Sequence, residues 1–300
     1  MKKRTTIAFL IGITLCFLKS DFTYGDELTV VYTANTAGKL KACVCREDPY
    51  GGLAERVTLI KNLRQKEKPF LLVDGGNLVH LFGLYDLGAS CVMRIMNIMG
   101  YNAAGAGWQE MFHGVNSALK MKDEAQFPLL SATITKKSDG TNVFKPYVIT
   151  RVGTTGVGII SVCDSTEASK YLPPKVNDYI ILSKYDVLKH TLREISSQSD
   201  YVVVLSQLSP DENKKLLMNF PIIDLIVESN HNTKYDSPVV TSDGIIVSSG
   251  RGGQFAGLIT LEKTKNGLVS VKRQEFFPVL NLPEDKEAHK ICLEYDNSMN

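Results

Sequence analysis

Two thiols one residue apart, Cys43 and Cys45, are the side chains in this sequence best suited to chemistry of their own. Cysteine is a soft metal ligand and a redox group, so the pair could hold one thiophilic metal or cycle between dithiol and disulfide. A disulfide between residues i and i+2 closes a small, strained ring and is therefore more oxidising than a relaxed one. Cys91 is the remaining cysteine best placed to meet Cys43 or Cys45, whereas Cys163 closes an apolar run and reads as core. No Cys-x-x-Cys-His is present, which excludes covalent c-type haem. Around the pair, polar residues gather in five segments: Thr33–Gly38, Asp74–Asn77, Gly107–Glu110, Ser206–Gln207 and Ser229–Asn232. These segments are rich in amides and poor in ionisable groups. Asn and Gln are weak, neutral ligands and cannot act as general bases, so no hydrolytic centre announces itself. His80, His113 and His231 are stray imidazoles that read as solvated or structural.

The elements that must carry these segments alternate between β-like and helical patterns. Leu28–Thr33, Phe70–Val73, Val157–Val162, Tyr201–Ser206 and Ile222–Val227 are apolar, β-branched strands. Leu53–Lys66 has helical spacing at Leu53, Val57, Ile60 and Leu63; Ser90–Met99 is helical and stops at Gly100; Tyr185–Ser196 and Pro210–Asn219 are helical too. From Pro238 onward the pattern is strand–turn–strand, with Asp243-Gly244 and Asn266-Gly267 as hairpin turns. The polar segments follow strands, where an α/β sheet aims side chains into a shared crevice. The reading is one mixed, layered α/β domain.

The order of these pieces resembles the metallophosphoesterase domain of the 5′-nucleotidase family over roughly residues 28 to 262. The resemblance rests on the Asn-Thr-Ala-Gly segment after the first strand, Gly51–Arg56, Leu72–Gly76, Met96–Ala104, Phe127–Ala132, Ile223–Ile226 and Gly250–Gly257. It implies a four-layer α/β/β/α sandwich and a centre of two divalent metals that hydrolyses phosphate esters. It also implies that the Cys-x-Cys is not accidental, since some relatives carry one at this place.

The same resemblance implies metal ligands that this chain lacks. The first segment should supply an Asp and a His, where Asn35 and Ala37 stand; the bridging Asp is Asn77. In the Gly-Asn-His-Glu segment the ligand Asn is Trp108 and the catalytic His is Gln109, while Glu110 is kept. The next His is Gln207, and two further His are Asn230 and Asn232, with His231 one place out of register. Losing every anionic ligand and imidazole removes the charge that holds two dications. Trp108 is expected to fill the emptied cavity or to offer a stacking platform, and Arg251 to grip a phosphate or carboxylate or to form a loop salt bridge.

Composition narrows the rest. The chain is 44% hydrophobic and 22% charged, with a formal net charge of +2, so it has a real core and no polycationic surface for nucleic acid. Lys2, Lys3 and Arg4 precede an apolar run from Ile7 to Leu18, and small residues reach Gly25. This is the layout of a cleaved signal peptide over residues 1–25; twelve apolar residues make only about 18 Å of helix against a hydrocarbon core of ~30 Å. Lipoprotein processing at Cys16 is disfavoured by the bulky Leu15 before it. Cleavage leaves Cys43, Cys45, Cys91, Cys163 and Cys292, an odd number, so one thiol is free to pair with a partner chain. The expected organisation is a domain over residues 26–280 and a helical tail over 281–300. Too few residues follow Phe277 for the family's C-terminal substrate domain, which weakens the expectation of nucleotide specificity. The expectation is a periplasmic or secreted, catalytically degenerate phosphoesterase-like protein that serves as a binding or thiol/redox module through Cys43 and Cys45, with an exported protein or small molecule as partner. The alternative is a nucleotide hydrolase with a rearranged metal site. A structural domain stapled by its cysteines is the third reading.

Overall fold

The computed structural model describes residues 27–42, 50–165, 177–229, 234–264 and 266–299. Cys43, Cys45, Asn230, His231, Asn232 and residues 1–26, where the sequence pattern suggests a signal peptide, lie outside them.

Two six-stranded sheets face each other. The first has the order β14–β13–β1–β2–β3–β4, with β1 (Leu28–Thr33), β2 (Leu71–Asp74), β3 (Ala103–Gly105) and β4 (Leu129–Leu130) parallel, and β13 (Phe255–Lys263) and β14 (Val269–Pro278) antiparallel at one side. The second has the order β11–β12–β10–β9–β7–β6, with a parallel centre of β7 (Thr155–Val162), β9 (Tyr201–Ser206), β10 (Leu225–Glu228) and β12 (Ile245–Val247). Antiparallel β6 (Tyr147–Val152) and β11 (Val239–Val240) close its edges, and β5 (Ile134–Lys136) pairs with β8 (Tyr179–Ile181) apart from both.

Three apolar layers fix the order of the sandwich. Tyr32, Val73, Ile159, Val203 and Val227 pack between the sheets. Helices α1 (Leu53–Lys66), α2 (Tyr85–Met99) and α3 (Gly114–Glu124) cover the outer face of the first sheet, and α4 (Lys184–Ser196) and α5 (Pro210–Asn219) that of the second. The four-layer α/β/β/α sandwich is therefore present. Residues 286–299 form α6 (Lys286–Met299), which buries Ala288, Ile291 and Cys292 against α1 and α2. No described helix is long and apolar enough to cross a membrane.

Local chemistry accounts for the element ends. Gly100 adopts the left-handed conformation that stops α2, its N–H reaching Met96 O. Ser209 caps α5 through Glu212 N, with Pro210 in the first turn. Two boundaries differ from the sequence pattern. Helix α2 begins at Tyr85 rather than Ser90, because Tyr85 and Ala89 are buried against the core despite the neighbouring Gly88. Strand β10 begins at Leu225 rather than Ile222, because Asp224 turns its carboxylate back to Val202 N and ends the preceding loop.

Candidate functional site

The parallel strands of both sheets end along one edge, and their loops meet there. The loops after β1 and β2 are laced together by main-chain hydrogen bonds, Asn35 N to Gly76 O at 3.0 Å, Ala37 N to Asn77 O at 2.8 Å and Gly38 N to Leu78 O at 2.8 Å. Asn35, Ala37 and Asn77 all have φ near +50° (51°, 49° and 58°), a region Asn tolerates through its short polar side chain. Gly38 permits the close approach: a Cβ there would lie 2.5 Å from His80 N.

At the centre the amides bond to one another. Asn77 Nδ2 donates to Asn35 Oδ1 at 2.8 Å and to Ser229 O at 2.5 Å, and Asn35 Nδ2 donates to Gly250 O at 3.0 Å. Gln207 Nε2 donates to Glu110 Oε2 at 3.3 Å, and Gln109 Nε2 donates to Val79 O. Glu110 is fully buried and accepts from Leu78 N at 2.7 Å and Gly107 N at 2.8 Å. Burial pushes its carboxyl pKa up, while those backbone N–H groups pull it back. Glu110 therefore braces two loops.

This donor set does not fit a pair of divalent cations. The Asn77 N–H group aims at Asn35 Oδ1, the oxygen a cation would need. The atoms left over are neutral oxygens, Asn77 Oδ1 and Gln207 Oε1, buried without a hydrogen-bond partner. Among the described residues no group of three His, Cys, Asp or Glu side chains converges on a common point.

Gln207 takes the space beside Gly76 and Gly107. A Cβ on Gly107 would fall 1.8 Å from Gln207 Oε1, and one on Gly76 would fall 2.3 Å from Gln207 Nε2. Gln207 is buried, whereas Trp108 is half-buried. The Gln207 amide reaches between the two glycines. Arg251 is exposed at the tip of the loop before β13. His80 and His113 are exposed and rest on main-chain carbonyls, His80 Nδ1 on Phe82 O and His113 Nε2 on Leu81 O at 2.9 Å.

Cys91 lies on the buried face of α2, its Sγ donating to Ile291 O at 3.7 Å, so its described neighbour is the C-terminal helix. Cys292 Sγ donates to Leu40 O at 3.6 Å, and Cys163 lies 3.4 Å from Thr133 Oγ1. All three are buried; burial raises the Cys91 thiol and pushes Cys163 and Cys292 up to about 12.

One cluster escaped the sequence reading. Arg56, fully buried, donates from Nη1 to Thr36 Oγ1 at 2.9 Å and lies 3.9 Å from Asp74 Oδ2. Asp74 accepts from Thr33 Oγ1 at 2.6 Å and Gly76 N at 2.9 Å, and burial raises its pKa against the pull of Arg56. The available signal was the place of Arg56 on the apolar stripe of α1, three residues after Leu53.

The chain is similar in sequence to human 5′-nucleotidase, 24% identical over 296 residues covering 86% of this chain and 50% of the relative. It is 25% identical to UshA of Escherichia coli over 226 residues, 70% of this chain and 41% of that one. It thus spans about half the length of the curated relatives it matches. No protein-family model matches it. Among solved structures, the 5′-nucleotidase precursor of Thermus thermophilus superposes with a TM-score of 0.78 at 23% identity, over 91% of this chain and 59% of the other. The calcineurin-like phosphoesterase YfkN of Bacillus subtilis superposes with a TM-score of 0.72 at 19% identity, over 91% and 97%. In sequence the chain is similar to 5′-nucleotidases, and its fold is the metallophosphoesterase-like fold that those solved structures share.

Proposed function

We propose that this chain is an exported 5′-nucleotidase-like domain that has given up the dinuclear hydrolytic centre and works as a binding or thiol module through Cys43 and Cys45. The observation that carries the reading is the 2.8 Å hydrogen bond from Asn77 Nδ2 to Asn35 Oδ1. Two side chains at positions where the resemblance implies metal ligands satisfy each other instead. Replacing carboxylates by amides removes the negative charge that dications require, and no side chain in the described network is poised to accept a proton from water. The thiol assignment is supported by elimination: Cys91, Cys163 and Cys292 are buried with raised pKa values, which keeps them protonated and inert. Export is supported by the charged and apolar pattern of residues 1–25.

Elemental analysis of protein purified from its export compartment without added metal tests the reading. The expected result is less than one equivalent of Mn, Zn or Fe and no phosphatase activity when Mn²⁺ is supplied. About one equivalent of a thiophilic metal, lost in Cys43→Ser, would identify the thiol pair as a soft-metal site. Two equivalents with phosphoesterase activity would overturn the proposal in favour of a rearranged hydrolase.

A further inference from the structure

We infer that β6 is a dimer edge: a second copy of this chain lays its own β6 antiparallel to the first, about a two-fold axis at Ile149. A sheet edge shows unpaired N–H and C=O groups that invite another strand, and proteins guard such edges with short strands, charges, proline or a bulge. Among the described strands, three of the four edges of the two large sheets are guarded in this way. β4 and β11 are two residues each. β14 carries Lys272, Arg273, Glu275 and Pro278, and its pairing with β13 shifts register between Thr260 and Leu261. β6 has no proline, no register shift and one charge. Its sequence, Tyr-Val-Ile-Thr-Arg-Val, is otherwise aromatic or β-branched, and every residue but the exposed Arg151 is half-buried.

The backbone of this edge is self-complementary. β6 and β7 are joined by two residues, Gly153 (φ 62°) and Thr154, which makes Val152 and Thr155 a hydrogen-bonded pair. Alternation then turns the N–H and C=O of Val148, Thr150 and Val152 toward β7, and those of Tyr147, Ile149 and Arg151 outward. Among the described residues no hydrogen bond reaches those outward groups. A two-fold at Ile149 sets Ile149 against its copy and Tyr147 against the partner's Arg151, each pair exchanging two backbone hydrogen bonds. A two-fold at Thr150 would instead oppose groups that already bond β7.

The side chains agree with that register. Tyr147, Ile149 and Arg151 share one face, so they meet their opposites as cross-strand neighbours. Ile149 belongs to none of the three apolar layers, and the same residue of the second copy covers it. Tyr147 Oη donates to the carboxylate of Glu194, an exposed residue of α4. Arg151 has no carboxylate partner among the described residues; its Nη1 donates to Thr154 O at 2.6 Å. The pairing brings each Arg151 to the other copy's tyrosine ring and Glu194, an ion pair and a cation–π contact made twice by symmetry.

Sedimentation velocity of the full chain over about 1–200 µM, in reductant so that intermolecular disulfides are excluded, tests it. A reversible monomer–dimer equilibrium in the micromolar range is expected, since one strand pair buries little area. Ile149→Lys sets two cations against each other at the axis and should weaken the dimer about tenfold or more. Its thermal melt at low concentration should match wild type, because the side chain lies outside the core. Arg151→Glu should weaken the dimer by opposing Glu194, and Glu194→Arg added to it should restore dimerisation. A monomer at every concentration would overturn the proposal and leave the edge to a strand of another protein. Oligomers beyond the dimer, an equilibrium unchanged in Ile149→Lys, or no recovery in the double reversal would each overturn it too. None of these readouts involves Cys43 or Cys45, so they stand apart from the thiol reading.

Discussion

Asn77 donates its amide N–H to Asn35 Oδ1 across 2.8 Å, and both residues sit in left-handed backbone at the ends of neighbouring parallel strands. The loops after β1 and β2 are thereby closed by a neutral side-chain bond. The same Asn77 nitrogen also reaches Ser229 O after β10, so one amide ties both sheets together at the site edge.

Asn77→Asp removes both donations and sets a carboxylate against the Asn35 oxygen and the Ser229 carbonyl. We expect a loss of about 1–3 kcal/mol in urea unfolding, with no recovery on adding Mn²⁺, since one restored carboxylate does not rebuild a ligand set. Full recovery with Mn²⁺ would argue for a latent metal site.

Gly107 is a packing residue for Gln207, not a turn residue. Gly107→Ala places a methyl 1.8 Å from Gln207 Oε1 and is expected to cost about 1–3 kcal/mol. Gln207→Ala in the same chain should return part of that loss. A double-mutant cycle measures the coupling, and additive effects would contradict the packing described.

Glu228 carries a pH dependence. Its Oε2 accepts from Asn213 Nδ2 at 2.8 Å and Tyr235 Oη at 3.1 Å, while Oε1 is buried without a partner. Burial raises its pKa from 4.5 to about 7, with Lys214 pulling weakly the other way. The folded state thus binds the proton more tightly than the unfolded one. Its contribution is fully present below pH 4.5 and is lost as pH rises through about 7, a loss of about 3 kcal/mol in all. Glu228→Gln should flatten this slope in thermal melts taken between pH 5 and 8; an unchanged slope would place the titration elsewhere.

Thiol reactivity should be confined to the pair. In reduced, folded protein we expect iodoacetamide at pH 8 to label Cys43 and Cys45, with Cys91, Cys163 and Cys292 protected until denaturant is added. Peptide mapping by mass spectrometry reads the outcome. Rapid labelling of Cys292 in the native state would mean that α6 opens easily.

The strand and helix periodicities were legible because each element buries one stripe or face: Leu53, Val57, Ile60 and Leu63 define α1 in sequence as they do in space. Short strands were not. β3 is Ala103–Gly105 and β4 is Leu129–Leu130, too brief for a period to register, and the sheet on either side makes them strands. Helix α3, opening on Gly114, was missed for want of a capping residue.

By itself the sequence determined the α/β character, the order of the site loops and the replacement of charged ligands by amides, because residue type and periodicity are local properties. Only the tertiary structure decided what those amides do. Hydrogen-bond pairing depends on which loops meet, so nothing local could show that Asn77 bonds Asn35, that Gln207 fills the space beside Gly76 and Gly107, or that Arg56 lies beneath Gly253 with donors to spare.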